Sequence, residues 1–212
     1  MTVRRGSERR LDEGSADLLL DVHIGPTRDQ EREELLSDLI RVAAAQPERT
    51  RGVRGVFLEK YAFLTRPSIV GRLGRFMAEL VSPDVDRLAA PALGAVAVGT
   101  AVALETGLPL AIVRHEERLL GKTEISPRER IKGEFYSSED VALIEDVVAT
   151  GSRAMEAIDV VRAAGGHITE VVAVADRDEG AAERFAAAGL AYRPLFAASA
   201  FEGFLIARGP GM

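Results

Sequence analysis

Residues 141–155, VALIEDVVATGSRAM, leave this chain few ways to fold. Residues 141–144 are consecutive apolar side chains with the length and composition of a strand buried on both faces. Glu145 and Asp146 follow, two adjacent carboxylates where that strand is expected to end. Residues 147–152 then read as a tight turn of small and hydroxyl side chains, and Ala154, Ala157, Ile158 and Val161 mark the buried face of a helix. In an open α/β sheet, ligands bind beyond the carboxyl ends of the strands. A turn feeding a helix N-terminus offers unpaired N–H groups and the positive end of a dipole, which suits a phosphate. Gly151 lets the backbone approach such a group, and Thr150 and Ser152 add hydroxyl donors. Glu145 and Asp146 can accept hydrogen bonds from a sugar diol and hold a hydrated Mg²⁺. Phosphate, diol and cation together describe a phosphorylated ribose.

Around this stretch the pattern predicts an α/β fold. Helical periodicity covers residues 29–45 and 67–81, and residues 48–66 read as irregular strands. After Pro83 the rhythm is βα, with strands expected at 87–90, 108–114, 169–175 and 190–196 and helices at 94–105, 152–164 and 180–188. Alternating strands and helices imply a parallel sheet covered on both faces. Gly165 and Gly166 stop the helix that follows the acid pair. Residues 115–139 are charged and poorly periodic. Residues 1–28 read as a polar, partly mobile appendage and 29–212 as a single domain. His23 falls in an apolar patch of the appendage, and His167 in a turn at the far end of the sheet; neither is expected to carry chemistry.

Composition narrows the function classes. With 212 residues, 47% hydrophobic and 28% charged, the chain reads as an ordinary soluble domain with a substantial core. No apolar run approaches the roughly 20 residues of a membrane span, and MTVRRGSERR has no apolar stretch behind it to make a signal peptide. Zero cysteines exclude disulfides, thiolate metal sites and cysteine nucleophiles, and fit a cytoplasmic protein. A net charge of −6 argues against broad nucleic-acid binding. Neither GxxxxGK[ST] nor GxGxxG is present, which disfavours the common nucleotide-binding loops.

The stretch IEDVVATGS resembles the phosphoribosyl pyrophosphate (PRPP) signature of type I phosphoribosyltransferases: apolar strand, two acids, apolar pair, then a Thr/Gly/Ser loop. GVFLEKYAFLTRP, DRLAAPALGAVAVGTAVALETGLPLAIVRHE and VADRDEGAAERFAAAGL stand around it in the order and spacing of orotate phosphoribosyltransferases, so the likeness spans roughly residues 30–200. It implies a mainly parallel sheet flanked by helices, with a small hood from about residues 48–66 and 197–212. It implies transfer of phosphoribosyl from PRPP to orotate in pyrimidine biosynthesis, Mg²⁺ as cofactor, and a homodimer that binds neither nucleic acid nor membrane.

The resemblance also assigns residues. Glu145 and Asp146 would hold the ribose hydroxyls and the metal, and Val148, Ala149, Thr150, Gly151, Ser152 and Arg153 would cradle the 5′-phosphate. Gly94 and Ala95 fall in the pyrophosphate loop, where small residues serve either backbone contacts to the leaving group or close helix–sheet packing. Lys60 would reach over the base from the hood. Arg177 would face the orotate carboxylate, a planar partner for its fork of donors, or else pair with Asp178 or Glu179. Arg114, with His115 and Arg118 after it, stands where the family's mobile catalytic loop starts, usually Arg-Lys-Glu-x-Lys-x-His-Gly, which folds over the active site of the neighbouring subunit; Arg114 and Gly121 match that pattern. Arg114, His115 and Arg118 form the catalytic set with Asp146.

Departures from the family pattern are informative. His115 and Arg118 replace lysines, and Leu120 replaces the histidine and cannot donate a hydrogen bond. Ala149 replaces a threonine, a loss of about 1 kcal/mol if one net hydrogen bond goes with it. The catalytic loop is thus altered more than the PRPP pocket. A phosphoribosyltransferase for another base such as a purine, or a PRPP-binding regulatory protein, is the alternative.

Overall fold

A computed structural model describes residues 26–44, 60–115 and 125–201. The chain order is α1 (Arg28–Ala44), α2 (Lys60–Leu64), α3 (Pro67–Ala78), β1 (Arg87–Pro91), α4 (Gly94–Thr106), β2 (Leu110–Val113), α5 (Pro127–Arg130), β3 (Ile131–Lys132), β4 (Asp140–Val148), α6 (Ser152–Ala163), β5 (His167–Asp176), α7 (Ala181–Ala187) and β6 (Ala191–Ala197). The strands form one sheet in the order β3-β2-β1-β4-β5-β6. Every pairing is parallel except that of β2 with β3. The expected α/β architecture, a mainly parallel sheet between helices, is what the chain adopts.

β4 is central because it is apolar enough to be covered on both sides. Ala142 and Ile144 enter a core with Leu88, Val98, Val172 and the apolar faces of α1 and α3. Val141 and Leu143 enter a second core with Ile158 and Val161 of α6 and Phe185 of α7. Helix α3 packs so closely on α4 that a Cβ at Gly74 would lie 2.9 Å from the Ala101 backbone. No helix among the described residues is long and apolar enough to cross a membrane.

Three expectations need correction. β4 does not end at the acid pair: it runs through Glu145 and Asp146 to Val148, because the ladder with β5 continues to the Val148–Asp176 register. The final stretch of the region read as strands at 48–66 is helical from Lys60 to Leu64, with Phe63 and Leu64 buried. Within 115–139, residues 127–132 form a short helix and an edge strand. Ser126 starts that helix with a reciprocal capping box to Glu129. Residues 1–25 of the appendage, most of the hood and residues 116–124 lie outside the described residues.

The N-terminal edge of the sheet is closed by a buried ion pair. Arg87 opens β1 and donates from Nε and Nη2 to Glu139 at 2.7 and 2.9 Å. These bonds from Arg87 hold the Glu139 carboxyl below its ordinary pKa despite partial burial. A depressed carboxyl pKa stabilises the fold above the unfolded value near 4.5 and loses that contribution as pH falls through the folded value. Arg87→Met should therefore cost about 2–3 kcal/mol at pH 7 in urea unfolding. The deficit should shrink below pH 4.

Candidate functional site

A cleft of about 530 Å³ opens where Pro91 ends β1 and Val147 and Val148 end β4. β1 and β4 are neighbours at the centre of the sheet, and the chain winds outward from them in opposite directions. This is the switch point at which open α/β sheets bind ligands. Lys60, Gly94, His115, Glu145, Asp146, Val148, Ala149, Thr150, Gly151, Ser152, Arg153 and Arg177 all line it. Ala95 does not; it is buried in α4. Arg114 is half-buried outside the lining, its backbone N–H donating to Arg130 at 2.9 Å and its carbonyl accepting from Arg130 Nε at 3.1 Å. Arg118 lies outside the described residues.

The two acids differ in their surroundings. Asp146 is 2% exposed. Its Oδ1 accepts from the Val147 N–H at 2.6 Å, and its Oδ2 meets Lys60 Nζ at 2.9 Å, near enough for an ion pair but not aligned as a hydrogen bond. Gly94 makes room for that pair: a Cβ there would lie 1.8 Å from Asp146 Oδ2 and 2.6 Å from Lys60 Nζ. The smallness of Gly94 thus serves the acid directly. Lys60, which the resemblance sets over the base, stands beside the Asp146 carboxylate. Glu145 is 8% exposed, and burial, aided by the charge of Asp146, pushes its carboxyl up to about 8.

The turn beyond β4 presents backbone and hydroxyl groups to the cleft. Gly151 takes φ 75°, a left-handed conformation that glycine adopts at little cost, and caps α6 without any side-chain hydrogen bond. Thr150 Oγ1 and Ser152 Oγ lie 3.0 Å apart on the cleft side. The first turn of α6, residues Ser152, Arg153 and Ala154, lines the cleft with its N-terminal end. The end of β5 is tied in by Arg177 N–H donating to the Val148 carbonyl at 2.8 Å. The Arg177 guanidinium meets Glu179 at 2.7 Å, the pairing named as the alternative for it, while lining the cleft. His115 Nδ1 lies 3.7 Å from Glu156 of α6.

No protein-family model matches the chain. Among curated proteins, it is 33% identical over 172 residues to the orotate phosphoribosyltransferase of Natronomonas pharaonis, covering 81% of this chain and 95% of that one. It is 32% identical over 143 residues to that of Methanosphaera stadtmanae, covering 67% and 78%. The chain belongs to the orotate phosphoribosyltransferase family. Among solved structures, the orotate phosphoribosyltransferase of Mycobacterium tuberculosis in complex with PRPP superposes with a TM-score of 0.67 and 27% identity, over 81% of this chain and 99% of that one.

For an orotate phosphoribosyltransferase, the assembled fold brings three further residues to the cleft or to its back wall. Tyr61 and Leu93 line the cleft with 42% and 72% exposure, two apolar surfaces beside the acids. Tyr61 falls in the region read as strand, and Leu93 immediately precedes Gly94 and Ala95 of the loop that the resemblance sets beside pyrophosphate. The third, Arg184 of α7, stands behind the cleft wall, its Nε donating to the Thr150 carbonyl at 2.7 Å. Nothing in local spacing links residues so far apart.

Glu145 yields a pH prediction. Its folded pKa is raised, so the unfolded chain releases this proton first, and the native state loses relative stability as pH climbs from about 4.5 to about 8. Glu145→Gln should remove that loss and leave the ligand-free protein more stable above pH 8, by on the order of a few kcal/mol. Denaturant titrations at pH 5 and pH 9 check this; equal stability of both proteins at pH 9 would contradict it.

Proposed function

We propose that the chain transfers the phosphoribosyl group of PRPP to orotate, releasing pyrophosphate and forming orotidine 5′-monophosphate. The single observation that carries the reading is the meeting of the acid pair and the amide-lined turn in one cleft at the sheet's switch point. Glu145 and Asp146 accept hydrogen bonds from the ribose hydroxyls. The Thr150–Ser152 turn and the N-terminus of α6 hold the 5′-phosphate, with Arg153 adding charge. The nucleobase lies between this sugar site and Arg177, whose guanidinium exchanges Glu179 for the carboxylate of orotate. A ring nitrogen bonds to the anomeric carbon as its bond to the pyrophosphate oxygen breaks, and the sugar passes through an oxocarbenium-like state. Such a cation must be kept from water, and the apolar surfaces of Tyr61 and Leu93 serve that end.

Mg²⁺ fits the donor set. Among the described residues no cluster of three or more metal-binding side chains occurs, so the protein offers the two carboxylates Glu145 and Asp146, with remaining ligands left to substrate and water. When bound, the cation supplies charge neutralisation for the departing pyrophosphate. Lys60, with Nζ 2.9 Å from Asp146 Oδ2 in the cleft, would supply positive charge for the phosphates. Gly94 and Ala95 open the helix next to the leaving group. Arg114, His115 and Arg118 stabilise pyrophosphate by resemblance to the family loop, His115 from its place in the cleft lining.

A homodimer in the cytoplasm completes the reading. Leu93, Ala97, Thr100 and Leu104 are exposed on one face at the start and along the length of α4, with Leu104 81% exposed. An uncharged face of this kind supports burial against a second copy, and Leu93 would place that contact beside the cleft. The absence of cysteine from the sequence supports a reducing compartment.

Orotate depletion followed spectrophotometrically with PRPP and Mg²⁺ tests the activity, with adenine, hypoxanthine and uracil run alongside. Orotate alone should be consumed, and Arg177→Ala should lower kcat/KM for orotate by at least about a hundredfold while PRPP still binds. Consumption of a purine would move the assignment to another base; PRPP binding without turnover of any base would make the chain a PRPP-binding regulator. In sedimentation, Leu104→Glu should shift a dimer toward monomer; a wild type that is monomeric at all concentrations would contradict the dimer.

A further inference from the structure

The turn that is read as holding the 5′-phosphate is braced from behind by α7, a helix outside the cleft. Arg184 does not line the cleft, yet its Nε donates to the Thr150 carbonyl at 2.7 Å. The carbonyl and the following N–H of a trans peptide point in opposite directions. A Thr150 carbonyl held outward by Arg184 therefore turns the Gly151 N–H toward the cleft, where a phosphate oxygen would accept it. The neighbouring side chain fixes the other half of the turn. Phe185 is fully buried, and a Cβ at Gly151 would lie 3.0 Å from its Cζ, so the Gly151 backbone rests on the ring. Tyr192 of β6 backs that ring at 4.8 Å between centroids.

We infer that Arg184 is a positioning residue for phosphate recognition: it sets the Thr150–Gly151 peptide plane so that Gly151 N–H becomes a donor to the ligand. The inference rests on the reading of the cleft as a PRPP site and adds a residue that touches no substrate. The bond it makes is short and charge-assisted but exposed, which limits its weight. Its loss lets the peptide plane rotate and withdraws one donor from the bound phosphate without disturbing the acids or the base.

The test is a comparison of wild type, Arg184→Ala and Arg184→Lys. Arg184→Ala should raise KM for PRPP about fivefold to tenfold, the scale of one hydrogen bond, with kcat and KM for orotate unchanged. Arg184→Lys should recover most of the loss, since an ammonium still donates to the carbonyl. In ¹H–¹⁵N spectra, the Gly151 amide of wild type should move on addition of PRPP and Mg²⁺, and that movement should shrink in Arg184→Ala. An unchanged KM for PRPP, or equal falls in kcat and in melting temperature with no change in KM, would overturn the positioning role while leaving the site intact. A wild type that binds no PRPP in calorimetry would overturn the reading of the cleft, and this inference with it.

Discussion

The site depends on keeping two neighbouring carboxylates buried at the end of a sheet. Like charges on consecutive residues repel, and both lose hydration at this depth, so the fold must offset two costs together. It does so unequally. Asp146 remains beside the ammonium of Lys60, in space that exists because Gly94 has no side chain. Glu145 takes up a proton more readily than an ordinary carboxyl, with burial as the main cause and Asp146 the next. One acid is balanced by a cation and the other by a proton.

The rest of the architecture serves that pair. A parallel sheet in the order β3-β2-β1-β4-β5-β6 brings the ends of β1 and β4 side by side, and the connections leave them on opposite sides. The cleft between them collects a glycine-led helix from one side and the Thr150–Ser152 turn from the other. Arg177 joins through its backbone bond to Val148, so the arginine proposed to read the base is anchored next to a strand end and not on a free loop. Rigid elements thereby place every group assigned to the sugar phosphate.

Much of this was legible in the residues because β4 and α6 have strong local signals: four apolar residues in a row, and a 3.6-residue period that ends at two glycines. The strand's true end was not legible. Charges at 145 and 146 look like a terminus, yet the ladder to β5 carries the strand to Val148, and pairing across strands leaves no mark in local sequence. Residues 60–64 show the reverse failure. LEKYAFL alternates loosely enough to read as a strand, while burial of Phe63 and Leu64 against the neighbouring helices selects a helical turn. Residues 127–132 are too short for any periodicity, and their edge strand exists only because β2 offers a partner. The Lys60–Asp146 and Arg184–Thr150 contacts join residues far apart in the chain, so only the assembled fold displays them.

The account stands on one claim, that the acids and the turn bind the two ends of the same sugar phosphate. Calorimetric titration of PRPP with Mg²⁺ into Asp146→Asn and into Gly151→Val, beside wild type, tests it most directly. Gly151→Val removes the left-handed cap, and its side chain would collide with Phe185. Each variant should weaken PRPP binding by at least about tenfold, while the double variant should lose less than the sum of the two, because one ligand bridges both places. Binding as tight as wild type in either single variant would contradict the claim.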